Sequence, residues 1–391
     1  MVKVYNMVYS IKGGCGKTTF SIKIANKINK LLMGVGGSKK IKELDNGKEN
    51  ILICNKEGER ETCLIDLDLT GTSMYSIFYA IDSEDDVEED DKFVNDLPFG
   101  DEENGKFLKR ISTNIKNTNE TDGEEGTIKK SYNFNVLFAS PRSKDINKYS
   151  TNAGFNFTAL ISYDSFASSF YKFISDNCEM KHVQNIVLDM PPGAYGFANI
   201  VYEMLFGKNS KDNNRKHVTP YRVNNNINAP EDVNIRNLFY VLDLDYGHYL
   251  SIERELNRWF VENETEIPDN IFFVINNSNN IKGNDEFGEH IKREIREGRG
   301  IVNIVKKLQL DEKYVDRIHL LSMEFDVKYC EAAIIGKGII EENALEEDLG
   351  NINYVCCLGD VIKNPKVIDM DNSNNYDKTG FVSFFKLILS K

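Results

Sequence analysis

Two periodicities alternate along this chain. Residues 4–11 form a β-rich apolar run that stops at glycines, after which Phe20, Ile22, Ile24, Ala25, Ile28, Leu31 and Leu32 recur at roughly helical spacing. The same change of period recurs downstream. Strand-like runs at 62–67, 134–139, 185–189, 238–245, 271–275 and 317–322 alternate with helical patterns at 155–174, 246–260 and 285–309. A further apolar run at 51–54 is separated from 62–67 by N-K-E-G-E-R and reads as a hairpin or a strand extension. Strands that alternate with helices, and that end in carboxylates, predict an α/β fold: a doubly wound, mostly parallel sheet of seven or eight strands with helices on both faces.

The polar stretches between these elements divide unevenly by charge. The chain carries a net charge of −13, and the stretch 82–130 alone holds 16 acidic against 7 basic residues. The acidity therefore belongs largely to one insertion, expected as a solvated lid or flap, partly disordered, with one amphipathic piece around 107–115. A basic, asparagine-rich loop occupies about 207–230, and a C-terminal extension about 351–391. The whole, 1–391, is read as a single domain with these additions. No run of about 18 apolar residues is present, so no membrane-spanning helix is expected. The early first strand is expected to leave no room for a signal peptide. Seven scattered cysteines without a C-x-x-C pair fit reduced thiols in a cytoplasm and give little support to a metal cluster.

Candidate chemistry concentrates at strand ends. In M-V-Y-S-I-K-G-G-C-G-K-T-T, residues 7–19, a strand runs through a glycine loop into a helix. Gly13, Gly14, Cys15, Gly16, Lys17, Thr18 and Thr19 form a cradle for a phosphate chain. Backbone N–H groups and the helix N-terminus face the anion, Lys17 reaches the outer phosphates, and Thr18 offers a hydroxyl to Mg²⁺. In C-L-I-D-L-D-L-T-G-T-S, residues 63–73, Asp66 and Asp68 close a buried strand at the end where ligands bind in such sheets, or cap the next helix. The run ending at Asp189, followed by M-P-P-G, is a buried carboxylate of the Walker B type that orders Mg²⁺.

Lys12 in the first motif position gives K-G-G-x-G-K-T, and with it the chain resembles the deviant Walker A ATPases of the ParA/MinD group. The resemblance covers roughly residues 2–345, discontinuously. It implies ATP and Mg²⁺ as ligands and an ATP-sandwich homodimer in which Lys12 contacts nucleotide on the other subunit. It further implies that Asp68 orients the hydrolytic water, that Asp66 supports Mg²⁺ or the loop, and that the turn after Asp189 senses the γ-phosphate. Leu69 and Thr70 depart from the family's D-x-D-P-Q. The family holds adenine by an asparagine after the strand at 271–275, here Asn276 or Asn277, the alternative being a polar loop. Its closing motif matches E-A-A-I-I-G-K-G after the strand at 317–322. Lys292, Arg293, Arg296 and Arg299 lie where ParA-type members contact DNA non-specifically, although a solvated helix face is the default for such a run. The function implied is a ParA-type segregation switch whose slow ATP hydrolysis is stimulated by an adaptor protein. The alternatives are a MinD-like ATPase at the membrane surface, through the amphipathic stretch 381–391, or a metallocluster carrier, which the missing C-x-x-C disfavours. A terminal helix docked on the sheet is the simpler reading of 381–391.

Overall fold

Along β1 (Lys3–Tyr9), Tyr5, Met7 and Tyr9 pack on one face of the sheet and Val4 and Val8 on the other, all buried. Such a strand has no solvent face, and it requires helices on both sides. The computed structural model describes residues 3–32, 61–68, 74–79, 92–94, 97, 106–115, 130–139, 163–193, 198, 201–202, 205, 233–243, 246–262, 267–276, 293, 300–308, 310, 312–323, 338 and 352–363.

The other strands are β2 (Glu61–Asp66), β3 (Lys109–Ile115), β4 (Lys130–Leu137), β5 (Val183–Asp189), β6 (Val233–Leu242), β7 (Asn270–Asn276), β8 (Ile318–Met323) and β9 (Ile352–Cys357). The sheet order is β3-β4-β2-β5-β1-β6-β7-β8-β9. Strands β4 to β8 of that order pair in parallel, and β3 and β9 close the two edges antiparallel. The fold is the doubly wound P-loop type, with β1 at its centre.

One face is covered by α1 (Lys17–Leu32) through Phe20, Ile22, Ile24, Ala25 and Ile28, and by the short α2 (Tyr75–Phe78). The other is covered by α3 (Tyr163–Asp176), α4 (Tyr246–Asn257) and α5 (Gly300–Lys307). They contribute Phe166, Phe170 and Phe173, then Ile252 and Leu256, then Ile301 and Ile304. Burying each of these large side chains contributes about 1.5–3 kcal/mol. A single π-helical turn, Arg258–Glu262, extends α4 and brings Trp259 against Tyr202 at 4.0 Å between ring centroids. Two short helices, α6 (Glu312–Val315) and α7 (Leu358–Lys363), finish the β8–β9 side.

Two expectations are corrected. Among the described residues the sheet has nine strands rather than seven or eight, because both antiparallel edges lie in segments read as an insertion and an extension. The piece at 107–115 is no solvated flap. β3 pairs with β4 over its whole length, and Phe93, Val94, Leu97, Phe107, Leu108 and Ile111 are buried in the core. The described part of the helical pattern at 285–309 is α5 together with a helical, exposed Arg293. The segments 34–60, 207–230 and 381–391, with Leu69, Thr70, Asn277, Lys292, Arg296, Arg299 and the closing motif at 331–337, lie outside the described residues.

From the middle of β1 and β6 to the first residue of β7, a row of buried asparagines crosses the sheet. Asn270 Nδ2 donates to Asn237 Oδ1 and Asn237 Nδ2 to Asn6 Oδ1, both at 2.9 Å, and Asn6 Nδ2 donates to the Ile186 carbonyl at 3.4 Å. One register satisfies all three carboxamides, and a slip of one residue would strand them in apolar surroundings.

Candidate functional site

The parallel strands deliver their C-terminal ends to one edge, and the glycine loop fills the gap between β1 and α1. Gly16 has a φ of +95°, and a Cβ there would stand 2.5 Å from Asn276 Nδ2, so only glycine fits. Its carbonyl accepts the first helical bond from the Phe20 N–H at 2.9 Å, which turns the next amides toward the loop. Lys17 begins the helix and is buried, whereas Lys12, Gly13 and Gly14 are exposed at the rim, and Thr18 and Thr19 are half-buried. Cys15 points inward and its thiol donates to the Lys12 carbonyl at 3.3 Å; burial raises its pKa. The Asn276 carboxamide donates to the Cys15 carbonyl at 2.9 Å and so grips the loop from β7.

Beneath the loop, β2 and β5 end in register, with Asp66 opposite Asp189. Asp189 Oδ2 accepts from the Thr18 hydroxyl at 2.7 Å and Oδ1 from the Ser21 hydroxyl at 2.8 Å. Burial pushes this carboxyl up to about 6, against the lowering effect of the two hydroxyls and Lys17. Asp66 is raised well above the ordinary carboxylate range, first by burial and then by the charge of Asp189. Its two oxygens accept the backbone N–H groups of Asp68, at 3.1 Å, and Met74, at 2.9 Å. Asp66 therefore pins the chain that leads into α2. Asp68 is half-buried, close enough that its charge raises both neighbouring carboxyls.

A second constellation clasps Lys12. Its ammonium meets Asp243 Oδ2 of the same chain at 2.5 Å, and Asp243 Oδ1 accepts from His248 Nδ1 at 3.0 Å. His248 Nε2 lies 3.2 Å from Ser10 Oγ, which accepts the Lys12 backbone N–H at 3.3 Å. The contacts close a ring around one residue. The turn after β5 is held as well, with Met190 N–H to the Val8 carbonyl at 3.0 Å and Gly193 N–H to the Ser10 carbonyl at 3.4 Å.

The fold thus brings together Lys12, Gly13, Gly14, Cys15, Gly16, Lys17, Thr18, Asp66, Asp68, Asp189 and Asn276, from three separate strand ends and one loop. Arg293 stands apart from them in sequence on an exposed helical residue. Sequence pattern did not single out Ser10, Ser21, Asp243 or His248. Ser21 follows Thr18 by three residues and so shares its helix face, and Asp243 lies within the strand-like run 238–245, so a signal for both was present.

The oxygen donors Thr18, Asp189 and Asp66 suit a hard cation such as Mg²⁺, whose charge would offset the crowding of two buried carboxyls. Among the described residues, no group of three or more His, Cys, Asp or Glu is arranged to hold a metal unaided.

A glycine loop between the central strand and its helix, over a strand-end carboxylate that takes the loop's hydroxyl, is the P-loop arrangement. No family model and no curated protein matches the chain. The solved structures it resembles include ParA proteins and nucleotide-bound proteins. They include pNOB8 ParA bound to nonspecific DNA (13% identity, 96% of this chain and 100% of that one, TM-score 0.43). An ATP complex of a variant of Cyanothece McdA stands at 12% identity, 89% and 94% coverage and a TM-score of 0.41. A putative plasmid partition protein from Borrelia burgdorferi bound to AMPPNP shows 13% identity, 88% and 97% coverage and a TM-score of 0.41.

Proposed function

We propose that this chain binds Mg·ATP and hydrolyses it slowly as a dimerising switch of the ParA type, with non-specific DNA as the partner of the ATP-bound dimer and an adaptor protein that accelerates hydrolysis. The observation that carries the reading is the Thr18–Asp189–Ser21 cluster directly under the glycine loop. Thr18 donates its hydrogen to Asp189, which leaves its oxygen lone pairs for a cation. In this reading Thr18 and Asp189 hold Mg²⁺, and Asp66 holds the loop that carries Asp68. When bound, Mg²⁺ supplies neutralisation of the phosphate charge. Lys17 adds a buried cation at the head of α1, where charge develops as the γ-phosphoryl group leaves. Asp68 orients the attacking water.

Lys12 has two partners in this reading. In the single chain it rests on Asp243, and in the dimer it leaves to contact the nucleotide of the other subunit. ATP-dependent DNA binding then follows from dimerisation, which doubles the basic sequence that holds Lys292, Arg293, Arg296 and Arg299 and strengthens its hold on a polyanion.

The test is duplex binding by fluorescence anisotropy at low salt, with ATP and with ADP. Binding with ATP only, lost in Arg293→Glu combined with Arg296→Glu and weakened by added salt, supports the reading. A wild-type chain that binds ATP and dimerises but ignores duplex refutes the DNA arm, and pelleting with anionic vesicles instead would assign the switch to a membrane surface.

A further inference from the structure

Under the turn after β5, three buried groups compete for too few hydrogens. The Tyr9 hydroxyl lies 2.8 Å from the Gly193 carbonyl and 2.5 Å from Glu255 Oε1. The Tyr240 hydroxyl lies 2.7 Å from Glu255 Oε2, and its own oxygen is faced by the Ile11 backbone N–H. A phenol has one hydrogen to give, and an ionised carboxylate has none. With Glu255 ionised, both phenols donate to it, and the Gly193 carbonyl then faces only the lone pairs of Tyr9. With Glu255 protonated on Oε1, that proton goes to the Tyr9 oxygen, the Tyr9 hydrogen turns to Gly193, and Tyr240 still donates to Oε2. Among the described residues, only the protonated arrangement satisfies every group.

We propose that Glu255 is a positioning residue for the turn at Gly193, holding it through Tyr9 when protonated and releasing it when ionised. The tether stands on the geometry alone. Its consequence for ATP turnover rests on the proposed ATPase function, together with the γ-phosphate-sensing role that the family resemblance implies for this turn.

The surroundings set the balance. Glu255 is 3% exposed, and burial raises its pKa; the two phenolic hydrogens oppose that, as does Arg258, whose Nη2 lies 4.0 Å from Oε1. Among the described residues, the titratable or charged groups around it are Tyr9 from β1, Tyr240 from β6, with His248 beyond its ring, and Arg258 from the π turn. Gly193 sits at a φ of +109°, which a side chain would strain, and its N–H is fixed to the Ser10 carbonyl. The Tyr9 contact therefore decides whether this backbone unit is held from one side or from both.

The chain carries its own reporter. Trp259 is its single tryptophan, one helical turn beyond Glu255, with its ring centroid 5.3 Å from that of Tyr9. The experiment follows Trp259 emission and amide exchange at Gly193 between about pH 5 and about pH 9 in nucleotide-free protein, with ATP turnover measured in parallel. Emission and intrinsic-rate-corrected protection should titrate together in wild type, with protection falling roughly five- to tenfold as Glu255 ionises. Glu255→Gln should hold the protected value throughout, because its amide donates to Tyr9 permanently. Tyr9→Phe should lack the protection at every pH. Flat protection in wild type overturns the proposal, as does a Glu255→Gln chain that titrates like wild type. The wild-type titration decides alone if either variant fails to fold. Protection that titrates while turnover ignores it would leave the tether standing and count against the γ-phosphate reading of the turn.

Discussion

Asp189→Asn should make the nucleotide-free protein more stable while removing its metal-dependent hold on ATP. Raising a carboxyl from its ordinary 3.8 to about 6 corresponds to about 3 kcal/mol of disfavoured ionisation. Asparagine has no charge to bury, but it offers one oxygen where Asp189 offers two, so either Thr18 or Ser21 loses its acceptor, at about 1 kcal/mol. The net expectation is a gain of about 2 kcal/mol at neutral pH. The sign depends on which state holds the proton. The folded pKa is the higher one, so the wild-type contribution is complete below about pH 4 and is lost as pH rises through about 6. The advantage of the variant should therefore be nearly complete above about pH 6, shrink as pH falls, and turn into a deficit of about 1 kcal/mol below about pH 4. Urea unfolding followed by Trp259 emission, at both pH values and without Mg·ATP, measures it. A variant less stable at neutral pH, or an advantage that persists unchanged in acid, would refute the reasoning.

Lys17→Ala should abolish ATP binding in a calorimetric titration, since the buried cation at the head of α1 is lost; undiminished affinity would remove the phosphate-cradle assignment. Lys12→Ala should cost less than about 1 kcal/mol in stability, because its pair with Asp243 is 42% and 32% exposed, yet sedimentation should show no ATP-dependent dimer. Asp68→Ala should bind ATP and accumulate the dimer, with turnover down about 100-fold or more. Normal turnover in Asp68→Ala would return Asp68 to a capping role.

The parallel sheet and the glycine loop were legible because their signals are local. Strands buried on both faces read as continuous apolar runs, and a loop-to-helix junction needs glycines within a few residues. What escaped was long-range. In β3, K-R-I-S-T-N-I has the polarity of an exposed segment and owes its place to pairing with β4. β9 is an apolar I-N-Y-V-C-C stretch beyond the last recognisable motif, and its place comes from pairing with β8. The ring around Lys12 joins residues 231 and 238 positions apart, and Tyr9 meets Glu255 across 246. No local periodicity spans such separations; the strand order β5-β1-β6 brings these residues together. Asp66 shows the finer limit. Its position at the strand end was evident, but its two backbone bonds depend on how the chain turns toward Met74.

The asparagine row through β7, β6 and β1 has a direction: each carboxamide gives its hydrogen to the next oxygen, and the last gives to the backbone of β5. Replacing Asn237 by leucine would remove the acceptor of the Asn270 bond and the donor of the Asn6 bond, so one mutation leaves two broken halves in the core. Replacing all three together would leave none. Between a fully polar row and a fully apolar one, both of which can fold, every single-step intermediate is worse than either end. The three positions therefore behave as a block: a triple replacement should cost less stability than a single one at Asn237.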